Sequence, residues 1–412
     1  KSGMDLYDLL QYQAENINSH RINMIPYGRQ NISEDDIQAV VDVLRSDFLT
    51  QGPIGPEFEK AIANYCGAKY GIAVNSATSG LHLACLAVGL RPGDIVWTSA
   101  ITFVASANCA VYCGAKVDFV DIDPVSYNMS VEYLEKKLEK AKKGNCLPKV
   151  VIPVHLCGQS CDMEKIHALS QTYGFKIIED ASHAIGGKFK EEPIGSCKYS
   201  DITVFSLHPV KIITAGEGGM LTTNNSDYSS KTQRLRSHGI TRDPEEMTHV
   251  PDGPWYYQQL ELGFNYRMTD VLAALGLSQM NRLDEFVKER HTIVKSYQKL
   301  FADFPIILPD QNQNYYSAFH LYVIRIPQSE TMDRKMVFER LRASGILVNL
   351  HYIPVYHHPY YQKFGYKQND FPEAEKYYSE AISLPIYPGL TEEQIKMIVD
   401  TVTKPLHHQT IF

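Results

Sequence analysis

The stretch Thr203-Val-Phe-Ser-Leu-His-Pro-Val-Lys-Ile-Ile-Thr-Ala-Gly-Glu-Gly-Gly219 decides how the chain is read. Residues 202–206 form a β-like run that ends in His208-Pro209, and a single lysine, Lys211, follows at once. Gly216, Gly218 and Gly219 come next, before a second β-like run at 220–223. Proline lacks a donor N–H and glycine frees the backbone, so both take the chain out of regular structure. Lys211 is therefore expected on a loop held between two strands, where a rigid frame aims its amine. A loop lysine is ordinarily a solvated charge, so the reading turns on what accompanies it.

Upstream, β-like runs at 70–74, 95–98, 117–120, 150–154 and 175–179 alternate with helix-compatible segments at 81–89, 105–112, 131–141 and 163–173. That alternation implies an α/β fold with a mainly parallel sheet covered on both faces, whose ligands sit beyond the carboxyl ends of the strands. Ser33-Glu-Asp-Asp36 reads as a capping box opening an amphipathic helix with Ile37, Val40, Val41 and Leu44. Downstream, a polar loop at 241–254 precedes helical periodicity over 269–301, expected as one long connector into a second, smaller domain. That domain is expected to hold strands at 320–326 and 346–350 and helices at 334–343, 373–381 and 391–402. The resulting division is a large domain over 25–265, N-terminal helices included, and a connector with a small C-terminal domain over 266–412. Residues 1–24 are polar, weakly periodic and given no role.

Composition narrows the class. At 412 residues the chain suits two domains, and 44% hydrophobic with 21% charged residues is ordinary for a globular protein. A net charge of -7 disfavours nucleic acid as the main partner. No apolar run approaches the roughly 20 residues that span a bilayer, so no membrane partner is expected. The start lacks the basic segment and hydrophobic core of a secretory signal. The eight cysteines are scattered, and Cys157-Gly-Gln-Ser-Cys161 has the wrong spacing for a zinc knuckle or a redox pair. No metal site is expected, and the thiols are expected to be reduced, in the cytoplasm.

Three turns carry chemistry. Asn75-Ser76-Ala77-Thr78-Ser79-Gly80 sits where a strand feeds a helix, so free N–H groups and hydroxyls there suit a phosphate, although alone the turn reads first as an ordinary N-cap. Glu179-Asp180-Ala-Ser-His183 ends a strand, and Asp180 there can hold a ring nitrogen protonated by charge pairing or simply cap a helix. The third turn carries Lys211, a nucleophile toward an aldehyde once part of its amine is neutral. Pyridoxal 5'-phosphate requires all three together: a phosphate cup, a carboxylate for the pyridine nitrogen and a lysine for the aldehyde. Their order along one parallel α/β domain is more specific than any single turn.

The chain resembles the DegT/DnrJ/EryC1/StrS family of fold-type I aminotransferases acting on nucleotide-linked sugars. The likeness runs from about residue 25 to the C-terminus and is carried by Leu49-Thr-Gln-Gly-Pro53, Asn75-Ser-Ala-Thr-Ser79, Thr102-Phe-Val-Ala105, Val154-His-Leu-Cys-Gly-Gln159, Ser206-Leu-His-Pro-Val-Lys211, Gly216-Glu-Gly-Gly219, Arg236-Ser-His-Gly239, Asn265-Tyr-Arg-Met268 and His351-Tyr-Ile-Pro354. Asp180-Ala-Ser-His-Ala-Ile-Gly186 and His351-Tyr-Ile-Pro-Val-Tyr356 are most similar to the pseudaminic acid branch, whose enzymes aminate C4 of a UDP-linked 4-keto-6-deoxy-N-acetylhexosamine. The resemblance implies a large domain with a mainly parallel sheet of the seven-stranded type, a smaller C-terminal α+β domain, glutamate as amino donor, and a homodimer with shared active sites.

By the same resemblance, Lys211 matches the catalytic lysine that condenses with the cofactor aldehyde, and Asp180 the partner of the pyridinium nitrogen. Ala77, through its backbone, and Thr78 match the phosphate cup, joined by Ser206. Phe103 matches the aromatic that stacks on the ring, and His183 the position near the ring hydroxyl. Asn265 matches a residue that reaches the phosphate of the neighbouring subunit. Tyr27, Gln51, Arg267, His351 and Tyr352 match positions lining the sugar-nucleotide site. Leu207 stands where the family often has an aromatic and Ile212 where Asn or Pro is common. Both flank Lys211, so they are expected to alter local shape and substrate fit. Competing readings are a different nucleotide-linked keto sugar (dTDP- or GDP-linked, at C3 or C4), a sugar dehydratase on the same scaffold, which Lys211 opposes, and a regulatory or binding protein without catalysis.

Overall fold

In the computed structural model the described residues are 24–329 and 332–404. Seven strands form the central sheet: β1 (Tyr70–Val74), β2 (Ile95–Ser99), β3 (Lys116–Val120), β4 (Val150–Ile152), β5 (Lys176–Asp180), β6 (Ile202–Ser206) and β7 (Gly219–Thr223). Their spatial order is β1-β7-β6-β5-β4-β2-β3. The pairs from β3 to β6 are parallel, whereas β7 runs antiparallel to both its neighbours. All five residues of β6 and of β7 are buried, as expected for strands covered on both faces.

Helices α1 (Glu34–Arg45), α2 (Ile54–Cys66), α3 (Ala77–Ala87), α4 (Ala105–Tyr112), α5 (Val131–Lys143), α6 (Met163–Tyr173) and α7 (Ser226–Leu235) surround the sheet. The Ser33/Asp36 capping box forms, and buried Asp36 goes on to accept from Ser278, Gln279 and Arg282. The turn after β1 is shorter than expected. Helix begins at Ala77 rather than near Leu81, which draws Ala77 and Thr78 into its first turn.

The long connector is two helices, not one. α8 (Asp270–Met280) and α9 (Leu283–Phe301) are separated by a break at residues 281–282. The break has a tertiary cause: the Arg282 guanidinium turns to Asp36 at 2.6 Å and to Asn31 Oδ1 at 2.8 Å. α8 packs against α1 and α2, close enough that a Cβ on Gly276 would lie 2.6 Å from the Phe58 ring. α9 carries Ile293, Val294, Tyr297 and Phe301 into a separate C-terminal core.

That core is built on an antiparallel pair, β8 (Tyr322–Arg325) with β9 (Ala381–Leu384), covered by α10 (Arg334–Ala343) and α12 (Glu392–Thr403). α11 (Pro372–Glu380) precedes β9 directly. The local pattern at 381–384 gives no strand, because the ladder partner of β9 lies far away in the chain and only the pairing defines it. The strand expected at 346–350 is confined to Ile346–Leu347, which pairs in parallel with Ile25–Pro26. Ile25 thus packs in the C-terminal core, on the far side of the division expected at residue 265. Among the described residues no helix is long and apolar enough to cross a membrane. Most of the expected extension, residues 1–23, lies outside the described residues.

Candidate active site

The carboxyl ends of β1, β2, β5 and β6 open into a cavity of about 510 Å³ closed on the other side by residues of the C-terminal unit. Its phosphate-sized end is made by α3. Ser76 caps the helix by accepting from Ser79 N at 3.1 Å, which leaves the Ala77 and Thr78 N–H groups at the positively polarised first turn. Ser206 arrives from β6 because its ladder partner is Gly219. A Cβ on Gly219 would lie 2.6 Å from Ala77 N, so glycine alone lets the β7 backbone come this near the helix start. Ala77, Thr78 and Ser206 all line the cavity.

Asp180 ends β5 and is 4% exposed. Ser106 donates to its Oδ2 at 2.6 Å, while Ser182 donates to Oδ1 from its backbone N–H at 3.1 Å and its hydroxyl at 2.6 Å. The carboxylate is thus fixed in orientation. Ser106 and Ser182 were not singled out in the sequence; the Asp180-x-Ser182 spacing is a local signal for the second, and nothing local marks the first.

Lys211 sits on the turn closed by its N–H to His208 O at 2.9 Å. The loop is pinned beneath it, with Leu207 N donating to Gly218 O and Thr214 Oγ1 to Leu207 O. Leu207 and Ile212 are buried in the core and do not line the cavity. The expected effect on substrate fit is therefore corrected: these side chains seat the loop from below. Burial pushes the Lys211 amine down to about 8, against the opposing pull of Asp180. At neutral pH a useful fraction is then the free base.

Histidines His183, His320 and His351 surround that amine, and burial, followed by the charge of Lys211, holds each below its usual range, His351 at about 3. His183 Nδ1 accepts the Cys157 N–H at 3.3 Å, so its proton sits on Nε2, 3.0 Å from the Tyr352 hydroxyl. Phe103 is 55% exposed at the cavity rim, its ring centroid 5.9 Å from that of Tyr352, so it is not a core residue. Tyr27, His351 and Tyr352 form the facing wall, fixed by Ser383 Oγ at 2.8 Å from His351 Nδ1 and by the Tyr377 hydroxyl donating to His351 O at 2.6 Å. His320 also lines the cavity and was missed in the sequence, where it reads only as the start of an apolar strand.

Three predicted residues stand apart from Lys211. Gln51 and Arg267 line a second cavity of about 180 Å³, and Asn265 is exposed with its carbonyl 3.5 Å from Asn75 Nδ2. Within one chain they do not join the main cavity. Among the described residues no group of His, Cys, Asp and Glu is arranged to hold a metal ion.

A mainly parallel sheet with a helix-capped anion cup, an oriented carboxylate and a lysine of lowered pKa defines a fold-type I pyridoxal-phosphate enzyme. The DegT/DnrJ/EryC1/StrS aminotransferase family matches residues 30–403, and the chain belongs to it. Spore coat polysaccharide biosynthesis protein SpsC of Bacillus subtilis is 38% identical over 93% of this chain and 97% of its own. The UDP-4-amino-4,6-dideoxy-N-acetyl-beta-L-altrosamine transaminase of Campylobacter jejuni (strain 81-176) is 36% identical over 92% of this chain and 96% of its own. Among solved structures, Spr1654 of Streptococcus pneumoniae in its PLP-form superposes with a TM-score of 0.83 at 28% identity, covering 93% of this chain and 99% of that one. Helicobacter pylori PseC, an aminotransferase involved in the biosynthesis of pseudoaminic acid, gives 0.84 at 29% identity, covering 93% and 100%.

The protein is a pyridoxal-phosphate-dependent aminotransferase, and the residues present fit that cofactor. When bound, it supplies an aldehyde and a ring able to take up electrons. The α3 N-terminus with Thr78 and Ser206 would hold the phosphate, and Asp180 a proton at the ring nitrogen. Lys211 Nζ is the group that can bond to the aldehyde carbon and carry protons within the cavity.

Proposed function

We propose that the enzyme transfers an amino group from glutamate to the C4 keto group of a UDP-linked 4-keto-6-deoxy-N-acetylhexosamine. The observation that carries this reading is the 36% identity, over nearly the whole chain, to a transaminase named for that class of product. The wall of Tyr27, His351 and Tyr352 facing Lys211 supports it, since a ring-shaped polar substrate meets hydroxyl and neutral imidazole groups there. Lys211 Nζ would take the proton from the donor's α-carbon in the first half-reaction and deliver one to C4 of the sugar in the second, while the Asp180 carboxylate would hold a proton at the ring nitrogen.

The same reading includes a homodimer in which Gln51, Asn265 and Arg267 reach the neighbouring chain's cavity, because none of them lines the cavity of its own chain. Exposed Phe48 and Leu49 beside Gln51 support a covered surface there. A cytoplasmic setting completes the reading, supported by eight unpaired cysteines.

The test offers the holoenzyme glutamate with UDP-, dTDP- and GDP-linked sugars in their 3-keto and 4-keto forms and identifies the amino-sugar product by NMR. Amination at C4 of the UDP-N-acetylhexosamine is expected. Turnover confined to a dTDP- or GDP-linked sugar, or amination at C3, overturns the substrate assignment and leaves the aminotransferase class intact.

A further inference from the structure

One buried side chain outside the assigned set reaches the reactive amine. His320 Nε2 lies 3.4 Å from Lys211 Nζ, the amine's one hydrogen-bond partner among the described residues. His320 is 4% exposed and lines the cavity, and its Nδ1 has no partner. The scaffold places this ring. Arg290 Nη1 donates to the carbonyls of Phe319, His320 and Ile386 at 3.1, 3.3 and 3.0 Å, and Phe319 takes a φ of 46°. The imidazole then rests on His183 with ring centroids 4.5 Å apart.

A desolvated amine without a partner is costly, and the Lys211 amine makes no hydrogen bond to Asp180, so His320 is the group that meets it. A neutral imidazole suits the task. It can accept at Nε2 with its proton on Nδ1, or donate at Nε2 with Nδ1 bare. The Nδ1 of His183 is pinned by the Cys157 N–H, whereas nothing pins that of His320, so its tautomer is free to follow the protonation of the lysine. The charged and titratable groups around this pair are Asp180, His183, Arg290 and His351.

We propose that His320 is the resting partner of Lys211: it takes the hydrogen bond of the amine whenever that amine is not bonded to the cofactor, and keeps it aimed into the cavity. His320 is thereby a positioning residue for the lysine, whichever sugar the enzyme uses.

The test uses cofactor-free full-length protein carrying His320→Leu, His320→Asn or His320→Gln, with folding checked by circular dichroism. Glutamine sets an amide near the Nε2 position; leucine and asparagine do not. The rate of pyridoxal 5'-phosphate capture is followed by visible absorbance from about pH 6.5 to about 10. In parallel, acetic anhydride labelling of Lys211, quantified by peptide mass, gives the amine's titration midpoint without the cofactor. H320L and H320N are expected to capture the cofactor about tenfold more slowly at the high-pH plateau, and H320Q within about twofold of the parent. The labelling midpoint is expected to fall in H320L. Parental plateau and midpoint in folded H320L and H320N overturn the proposal. So does an H320Q as slow as H320L, which would assign the effect to ring packing.

Discussion

Gly219 stands opposite Ser206 in the β6–β7 ladder with its bare backbone against the start of α3. A Cβ there would meet Ala77 N and Ser76 C, both at 2.6 Å, and these are backbone atoms that cannot swing aside. One close approach therefore assembles the α3 N-terminus and the Ser206 hydroxyl into a single cup. Gly219→Ala is expected to cost about 1–3 kcal/mol of stability and to weaken cofactor binding by at least about tenfold. Titration of the cofactor-free protein with pyridoxal 5'-phosphate measures this. An unchanged dissociation constant in a folded variant would remove the cup from the account.

Lys211 links the site to stability through pH. Its amine titrates at 10.5 when unperturbed and at about 8 in the folded, cofactor-free protein. Below pH 8 both states are protonated and the folded state bears the full cost of a buried charge. Between 8 and 10.5 the unfolded chain binds the extra proton, so stability rises with pH, by up to about 3 kcal/mol. Lys211→Met removes the charge. The melting temperature of the cofactor-free variant is expected to exceed that of the parent at pH 7, with the gap narrowing toward pH 10. A gap independent of pH contradicts the lowered amine.

Asp180 and its serines divide the work differently. Asp180→Asn keeps the shape but cannot hold a ring nitrogen protonated by charge, so kcat is expected to fall by at least about a hundredfold. Ser106→Ala removes one donor of several, and a loss below about tenfold is expected. Steady-state kinetics separate the two. Equal losses would mean that orientation, and not charge, is what Asp180 provides.

The parallel sheet and the three chemical turns were legible because each rests on local signals: apolar runs of strand length, proline and glycine punctuation, and Ser or Asp at strand ends. The rest depends on contacts between distant parts of the chain. The helical periodicity of 269–301 is continuous, and the break comes where Arg282 turns to the distant Asp36 and Asn31. β9 is a strand because Tyr322–Arg325 lies beside it. Leu207 and Ile212 flank Lys211 in sequence, yet both point into the core. His320 meets Lys211 from 109 residues away, and nothing in its own neighbourhood marks it.

The proposed sharing of sites makes a separate prediction. Lys211→Ala and Asn265→Ala proteins are each expected to be nearly inactive alone. After mixing under conditions that exchange subunits, mixed dimers carry one intact site and activity is expected to return. Different affinity tags on the two variants, with both recovered in one pull-down, confirm exchange. No recovery in confirmed mixed dimers would place Asn265 in its own chain's chemistry.

The central claim is that Lys211 is the residue that bonds to the cofactor, and borohydride reduction of the holoenzyme tests it most directly. Reduction fixes the cofactor to its lysine, and peptide mass spectrometry reads the position. The label is expected on Lys211 alone, with Lys211→Ala taking up no label and showing neither the cofactor's visible band nor transamination. Labelling of a different lysine, or retained turnover in Lys211→Ala, contradicts the assignment.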